Sequence, residues 1–281
     1  MAANFWTSSH YKQLLDPDKV DVVQRLDKEK GLTLEEFRLI KIHMSLQIWK
    51  LALNVKVRQR VIATAITYLR RVYARVVDIL KIAICLFSVC RKSMTEYDPR
   101  LVAPTCLYLA SKVEESTVQA RLLVFYIKKM CNYAGASSSD EKYRFEIKDI
   151  LEMEMKVLEA LDYYLVVFHP YRPLLQLLQD AGITDLTQVA WGLVNDTYKM
   201  DLILIHPPHM IALACIYIAC VLKDKDLTTW FEELRVDMNI VKNISMEILE
   251  FFEYCRLDSK GNILIPEDRI NAALNKVAAK P

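Results

Sequence analysis

Asp98–Glu115 reads DPRLVAPTCLYLASKVEE. It is an almost wholly apolar stretch with a proline near its start and a lysine followed by two acids at its end. A second copy lies at a spacing of 109 residues, within the segment HPPHMIALACIYIACVLKDKD that starts at His206. Aligned without gaps, Pro99 falls on Pro208, Ala103 on Ala212, Cys106 on Cys215, Tyr108 on Tyr217 and Ala110 on Ala219. A helix that is apolar all round sits inside a bundle, not on its surface. Two such helices at one wide spacing predict two similar helical domains, each wrapped around one of them.

The rest of the chain agrees with an all-α fold. Its 281 residues suffice for two domains of ordinary size. Only five glycines interrupt long stretches of helical periodicity, and strand-like alternation is scarce. The net charge of +2 gives no broad attraction to nucleic acid or an anionic membrane. Seven cysteines with no C-x-x-C pair, three of them inside apolar helical runs, read as reduced thiols of an intracellular protein. The N-terminus MAANFWTSSHYKQLLD lacks a basic region followed by an apolar core, so no secretory signal is expected.

Taken in order, Asn4 to Leu15 predicts a short amphipathic helix with Phe5, Trp6, Tyr11 and Leu14 as apolar members, ended by Asp16 and Pro17. We read residues 1–32 as a helical docking extension; the alternative is a helix that packs on its own domain. Thr33 and Glu36 form a capping-box pattern, followed by Phe37, Ile40, Met44 and Ile48 at helical spacing. Further helices are predicted at 58–75, 99–115, 119–133 and 147–161. The polar loop Ala134–Lys142 separates the last two. Tyr163–Pro173 is an extended, proline-bounded connector. Helices then follow at 173–181, 186–204, 208–222, 227–234 and 236–255, with Asp237 placed to cap the last. The tail from Arg256 reads as a loose appendage with one weak helix at 266–277.

One stretch does not fit. Val76–Cys90, VVDILKIAICLFSVC, is apolar apart from Asp78 and Lys81. At ~1.5 Å per residue it is too short to cross a bilayer, and it is charged. So long and apolar a connection inside a small helical domain is unusual. It is either an added helix covering a partner surface or retained non-coding sequence. We favour the second, because the run begins with valine, whose codons start GT as a splice donor does.

A search for catalytic or metal-binding groups returns little. There is no glycine-rich phosphate loop. His206 and His209 have a ligand-like spacing, but Pro207 and Pro208 between them forbid the helix that would align both rings. Glu152 and Glu154 are two apart and point to different faces. No cofactor or metal site is expected. Two charges do stand out. Glu154 falls on the apolar stripe Ile147, Leu151, Leu158 and Leu161, and Lys112 closes the series Leu101, Thr105, Tyr108. A charge at the margin of a buried surface needs a partner. Either the two form a bridge that locks helices together, or they also face outward and hold the backbone of another protein.

These residues resemble the cyclins over about Thr33 to Cys255. The strongest motif is Leu109–Glu115, LASKVEE, supported by Tyr68–Arg71 and by Met153 with Glu154. The resemblance implies two tandem five-helix cyclin boxes, 33–166 and 167–255, after an N-terminal helix and before a tail at 256–281. Lys112 and Glu154 are similar to the family's kinase-contacting lysine and glutamate. Within the family the chain resembles the C-type cyclins through Asn4–Trp6, Ser8–Tyr11, Val61–Ala65, His169–Leu175 and Val194–Tyr198. That group partners a nuclear cyclin-dependent kinase in the kinase module of Mediator, which regulates RNA polymerase II. The expected role is therefore a non-catalytic nuclear subunit in a heterodimer or larger complex with that kinase and other module subunits. No direct contact with nucleic acid or membrane is expected. The kinase would be held by Lys112, Glu154, Glu115, Tyr108, Phe5 and Trp6. Besides the 76–90 run, which stands where a cyclin box has a short loop, two departures are visible. Arg70 stands where cell-cycle members carry Asp, and the MRAIL docking patch is unmatched between Phe37 and Met44. A cyclin-fold scaffold that binds DNA or polymerase without a kinase is the alternative, and it would need a basic face.

Overall fold

The structure is a computed structural model that describes residues 4–74, 92–133, 145–255 and 267–278. The apolar run 76–90, the polar loop 134–142 and the tail before Glu267 lie outside the described residues. Every regular element among the described residues is helical. None of these helices is long and apolar enough to cross a membrane. The chain divides into two compact units, residues 15–167 with 267–281 and residues 1–14 with 168–266. We call them the first and second unit.

After α1 (Ser9–Lys12), which belongs to the second unit, the first unit contains α2 (Arg25–Glu29), α3 (Leu34–Val55), α4 (Gln59–Ala74), α5 (Pro99–Val113), α6 (Ala120–Tyr133) and α7 (Ile147–Ala160). The capping box at Thr33 and Glu36 starts α3, with each side chain taking the other residue's backbone N–H. As its sequence requires, α5 lies in the middle and packs on α3, α4, α6 and α7. Val102, Ala103, Cys106, Leu107 and Ala110 of α5 are all buried. Asp98 caps its start by accepting the Arg100 N–H at 2.9 Å.

The approach to α5 is pinned by a group that the sequence does not advertise. Asp27 is fully buried, and its carboxylate accepts from Ser93 Oγ (2.6 Å), the Met94 N–H (3.0 Å), and both the N–H (3.0 Å) and Oγ1 (2.8 Å) of Thr95. The buried Tyr73 hydroxyl adds a bond to the Tyr97 carbonyl at 2.7 Å. A buried carboxylate with this many donors is satisfied where an unpaired one would be prohibitive.

The described part of the tail, residues 267–278, is not loose. Helix α14 (Glu267–Ala278) packs on α3 and buries Ile270, Ala273, Leu274 and Val277, spaced as one helical face. Lys276 bridges to Glu36 at 2.7 Å and donates to the Gly31 carbonyl at 3.2 Å, while Arg269 meets Glu35 at 3.1 Å. Four apolar contacts outweigh the weak helix propensity that made this segment look detached.

The second unit holds α8 (Tyr171–Asp180), α9 (Thr187–Thr197), α10 (Leu202–Ile205), α11 (Pro208–Leu222), α12 (Thr228–Glu233) and α13 (Met238–Tyr254). Here α11 is the central rod, packed on α8, α9, α10 and α13. Asp237 caps α13 by accepting the Asn239 N–H at 2.9 Å. The continuous helix expected over 186–204 is broken. Turn bonds from the Lys199 and Met200 N–H groups to the Asp196 and Thr197 carbonyls end α9, and the apolar α10 is buried as a separate turn.

The N-terminal helix is also broken in two. Asn4 caps a 3₁₀ turn over Phe5–Thr7, and Ser8 restarts the chain as α1 by accepting the Tyr11 N–H at 3.3 Å. Short polar side chains compete for backbone donors in this way. His10 of α1 is buried. Its Nδ1 accepts from the Phe168 N–H at 3.0 Å, which leaves Nε2 as the donor to the Ile203 carbonyl at 3.3 Å. This tie fastens residues 4–14 within the second unit.

Candidate partner-binding site

The last turn of α5 carries the LASKVEE motif, and each of its polar groups goes to a different place. Ser111 Oγ donates to the Tyr108 carbonyl at 2.7 Å and accepts from the Val118 N–H at 3.2 Å. Glu115 takes a left-handed backbone, φ 52°, which ends the helix. The Ser116 N–H then returns to the Ser111 carbonyl at 2.9 Å. Glu114 turns back to α4, accepting from Thr64 Oγ1 at 2.8 Å and pairing with Arg60 at 2.7 Å.

Lys112 points the other way, to α7. Its ammonium donates to both carboxylate oxygens of Glu154, at 2.8 and 2.9 Å. It also lies 4.2 Å from the centre of the Tyr108 ring. Burial by itself opposes the charge on Lys112. The hydrogen bonds to Glu154 and Tyr108 overcome that and hold its pKa above the ordinary lysine value. The two ends of the bridge differ in exposure, since the lysine side chain is 41% exposed and the glutamate side chain 10%. The pair is thus a bridge between helices and also a rim charge that solvent, or a partner, can reach.

Beside Glu154, α7 exposes two large apolar side chains among its charged ones. Leu151 and Met155 are exposed one helical turn apart. The turn after α7 adds exposed Tyr163, Tyr164 and Val166 in the same unit. The buried Tyr68 hydroxyl of α4 fixes this turn through the Leu165 carbonyl at 2.5 Å. Large apolar side chains left in water beside an oriented charge pair make this the candidate surface for another macromolecule.

The structure therefore brings together Lys112, Glu154 and Tyr108, with Glu115 at the end of the same helix. Phe5 and Trp6 belong to the second unit. There Phe5 packs edge-on against His10, Tyr11 and Phe168, and Trp6 against Tyr11 and His209, leaving Trp6 half exposed. His206 and His209 are partly buried at the start of α11, and burial lowers the pKa of both. Among the described residues no group of acids, histidines and cysteines could hold a metal ion. Cys106 and Cys215 are buried inside the two rods, and burial pushes both thiols well above their ordinary range.

Two helical units around matching central rods, the first ending in an oriented lysine–glutamate pair, are the architecture of a cyclin. Residues 4–166 match the family described as the cyclin N-terminal domain, and the chain belongs to the cyclin family. It is 74% identical over 280 residues to Cyclin-C1-1 of Oryza sativa subsp. japonica, with all of both chains covered. It is 61% identical to Cyclin-C1-1 of Arabidopsis thaliana, again over the full length of both. With Cyclin-C of Rattus norvegicus it shares 42% identity, over 90% of this chain and 84% of that one. Among solved structures it resembles a chain of the yeast TFIIK (Kin28/Ccl1/Tfb3) complex, with a TM-score of 0.65 at 20% identity, covering 87% of this chain and all of that one. A chain of the yeast RNA polymerase II CTD kinase CTDK-1 gives 0.61 at 16% identity, with 95% of this chain and 84% of that one covered. These structural likenesses concern the fold.

Proposed function

We propose that this C-type cyclin is a non-catalytic regulatory subunit that binds and activates a nuclear cyclin-dependent kinase of the Mediator kinase module, and so regulates RNA polymerase II transcription. The observation that carries the reading is the Lys112–Glu154 pair, oriented by Tyr108 and set beside exposed Leu151 and Met155. The names of the relatives and the kinase complexes among the structural neighbours support it. Other subunits of the module would complete the assembly.

Activation is a population shift, in which the cyclin binds the active arrangement of the kinase better than the inactive one. Moving a partner from 1:99 to 99:1 takes about 5.5 kcal/mol of differential binding. At about 25 cal/mol per Å² that equals about 220 Å² of apolar surface. A rim ion pair contributes only about 1 kcal/mol or less. The apolar side chains of α7 and its following turn must therefore supply most of the shift, while Lys112, Glu154 and Glu115 set orientation. Phe5 and Trp6, in a separate unit, would contribute partner choice.

The test is co-purification of the kinase with the chain carrying Lys112→Ala and Glu154→Ala, together with phosphorylation of a polymerase C-terminal-repeat peptide. The expected result is severalfold weaker binding and lower activity from a protein that still folds. Undiminished co-purification refutes the contact role.

A further inference from the structure

The first unit holds an open cavity of about 510 Å³ where α6 meets the start of α7. Among the described residues its rim carries Arg121, Lys128 and Lys148 against the single acid Glu146. Arg121 and Lys128 are exposed and pair with no described residue. Lys148 reaches Glu152 only at 3.5 Å, with both side chains mostly in water. Between the cations the wall is apolar. Phe125 stands one turn from both Arg121 and Lys128 and is 59% exposed, with Ile147 opposite and exposed Leu122 alongside. Leaving a phenylalanine this open, framed by unpaired cations, suits a ligand that is both apolar and anionic.

We propose that this cavity receives an acidic, amphipathic helix of the protein that occupies the adjoining face of α7. Charge complementarity requires the acid. The apolar wall requires leucine or phenylalanine at helical spacing, the groove mode of recognition. Continuity requires a protein: Leu151, one turn after Ile147, begins the exposed stripe that runs past Glu154 to Met155. A partner seated on that stripe reaches the cavity along the same helix. The proposal rests on the kinase-facing reading of α7 for the source of the helix, but not for the chemistry of the cavity.

The probe is a fluorescent synthetic helix of about sixteen residues, with leucine and phenylalanine on one face and glutamate flanking them. It is titrated against the whole chain by anisotropy, without kinase. Binding is expected to weaken about tenfold or more with Arg121→Glu plus Lys128→Glu, similarly with Phe125→Ser, and as salt is raised. Lys112→Ala with Glu154→Ala should leave it unchanged, which separates this site from the kinase-facing pair. Arg121, Lys128 and Phe125 are all exposed, and an unaltered melting temperature of those variants checks the fold. The proposal is overturned if the charge reversal changes the affinity less than about twofold. It is also overturned if a peptide of the same composition with dispersed leucines binds as well, or if oligothymidine binds more tightly, since the patch is then a general polyanion surface.

Discussion

The two units put the same helices to different ends. The rods α5 and α11 span 99–113 and 208–222, the spacing read from the sequence. The burial pattern of α7 repeats in α13 at a shift of 91, with Ile150, Met153, Glu154 and Val157 matching Val241, Ile244, Ser245 and Ile248. In that register Lys112 corresponds to Val221 and Glu154 to Ser245. The second unit therefore lacks the ion pair. Ser245 Oγ spends its proton locally, on the Val241 carbonyl at 2.8 Å, and Val221 stands exposed. The approaches differ too. The first rod is pinned by Asp27 and capped by Asp98, whereas the second enters through Pro207 and Pro208 with no side-chain cap. One scaffold is thus wired by charge at both ends of its rod in the first unit, and by apolar and proline residues in the second. An oriented charge fixes a partner's register in a way that a valine cannot, which is the difference the proposed function assigns to the first unit.

The largest effect should come from breaking the wired approach. Asp27→Ala leaves the buried Ser93 hydroxyl and Met94 N–H without their acceptor, and leaves the Thr95 N–H only Ser93 Oγ at 3.0 Å. It should cost about 3 kcal/mol or more, read as a lower denaturant midpoint. Removing the half-buried His206 before the second rod should cost under about 1 kcal/mol. Equal costs would erase the contrast between the two approaches.

The exit of the rod gives a middle-sized effect, with an internal asymmetry. Lys112→Met leaves the largely buried Glu154 carboxylate without its cation and should destabilise the fold by about 2 kcal/mol. Glu154→Gln leaves a lysine that water already reaches, and should cost less than about 1 kcal/mol. Ser245→Ala, the matching change in the second unit, should sit near the smaller figure. The raised Lys112 pKa adds a pH signature. Its stabilisation is complete below the ordinary lysine value of 10.5 and is lost as pH rises through the higher folded value. A Lys112→Met protein that melts with the parent at neutral pH would show that the pair has no structural weight.

The rods were legible because apolar residues all round a helix leave one place for it to go. Lys112 and Glu154 were legible because each charge interrupts an apolar stripe. Asp27 was not, since nothing in QRLDKEKG distinguishes a buried carboxylate from a surface one. Its donors lie more than sixty residues away, beyond the 76–90 run. Glu114 was hidden beside Glu115, and only the left-handed backbone at Glu115 sends the two acids to different work. The broken N-terminal helix turned on Ser8, where a local cap competes with propagation. The tail misled for the opposite reason: its polar face is plain in sequence, but the surface of α3 that buries its other face is about 230 residues distant in the chain.

The tail also supplies the smallest effect, and it sharpens the contrast because it adds a further charged tie to the first unit. Burial of Glu36 favours the neutral acid. The hydrogen bonds from Lys276 and the Thr33 N–H prevail and lower its pKa below the ordinary 4.5. The stabilisation is therefore present above that value and lost as pH falls through the lower folded one. With Lys276 39% exposed, the pair should contribute under about 1 kcal/mol, so α14 should loosen rather than detach. Hydrogen exchange over residues 267–278, corrected for the intrinsic pH dependence, should show protection falling below the glutamate range while α11 is unchanged. Lys276→Met should abolish that pH dependence without exposing the tail fully, because Ile270, Ala273, Leu274 and Val277 still bury their face. If the substituted protein keeps the same acid response, the coupling runs through another group, and the charged tie at Glu36 is incidental to how the tail is held.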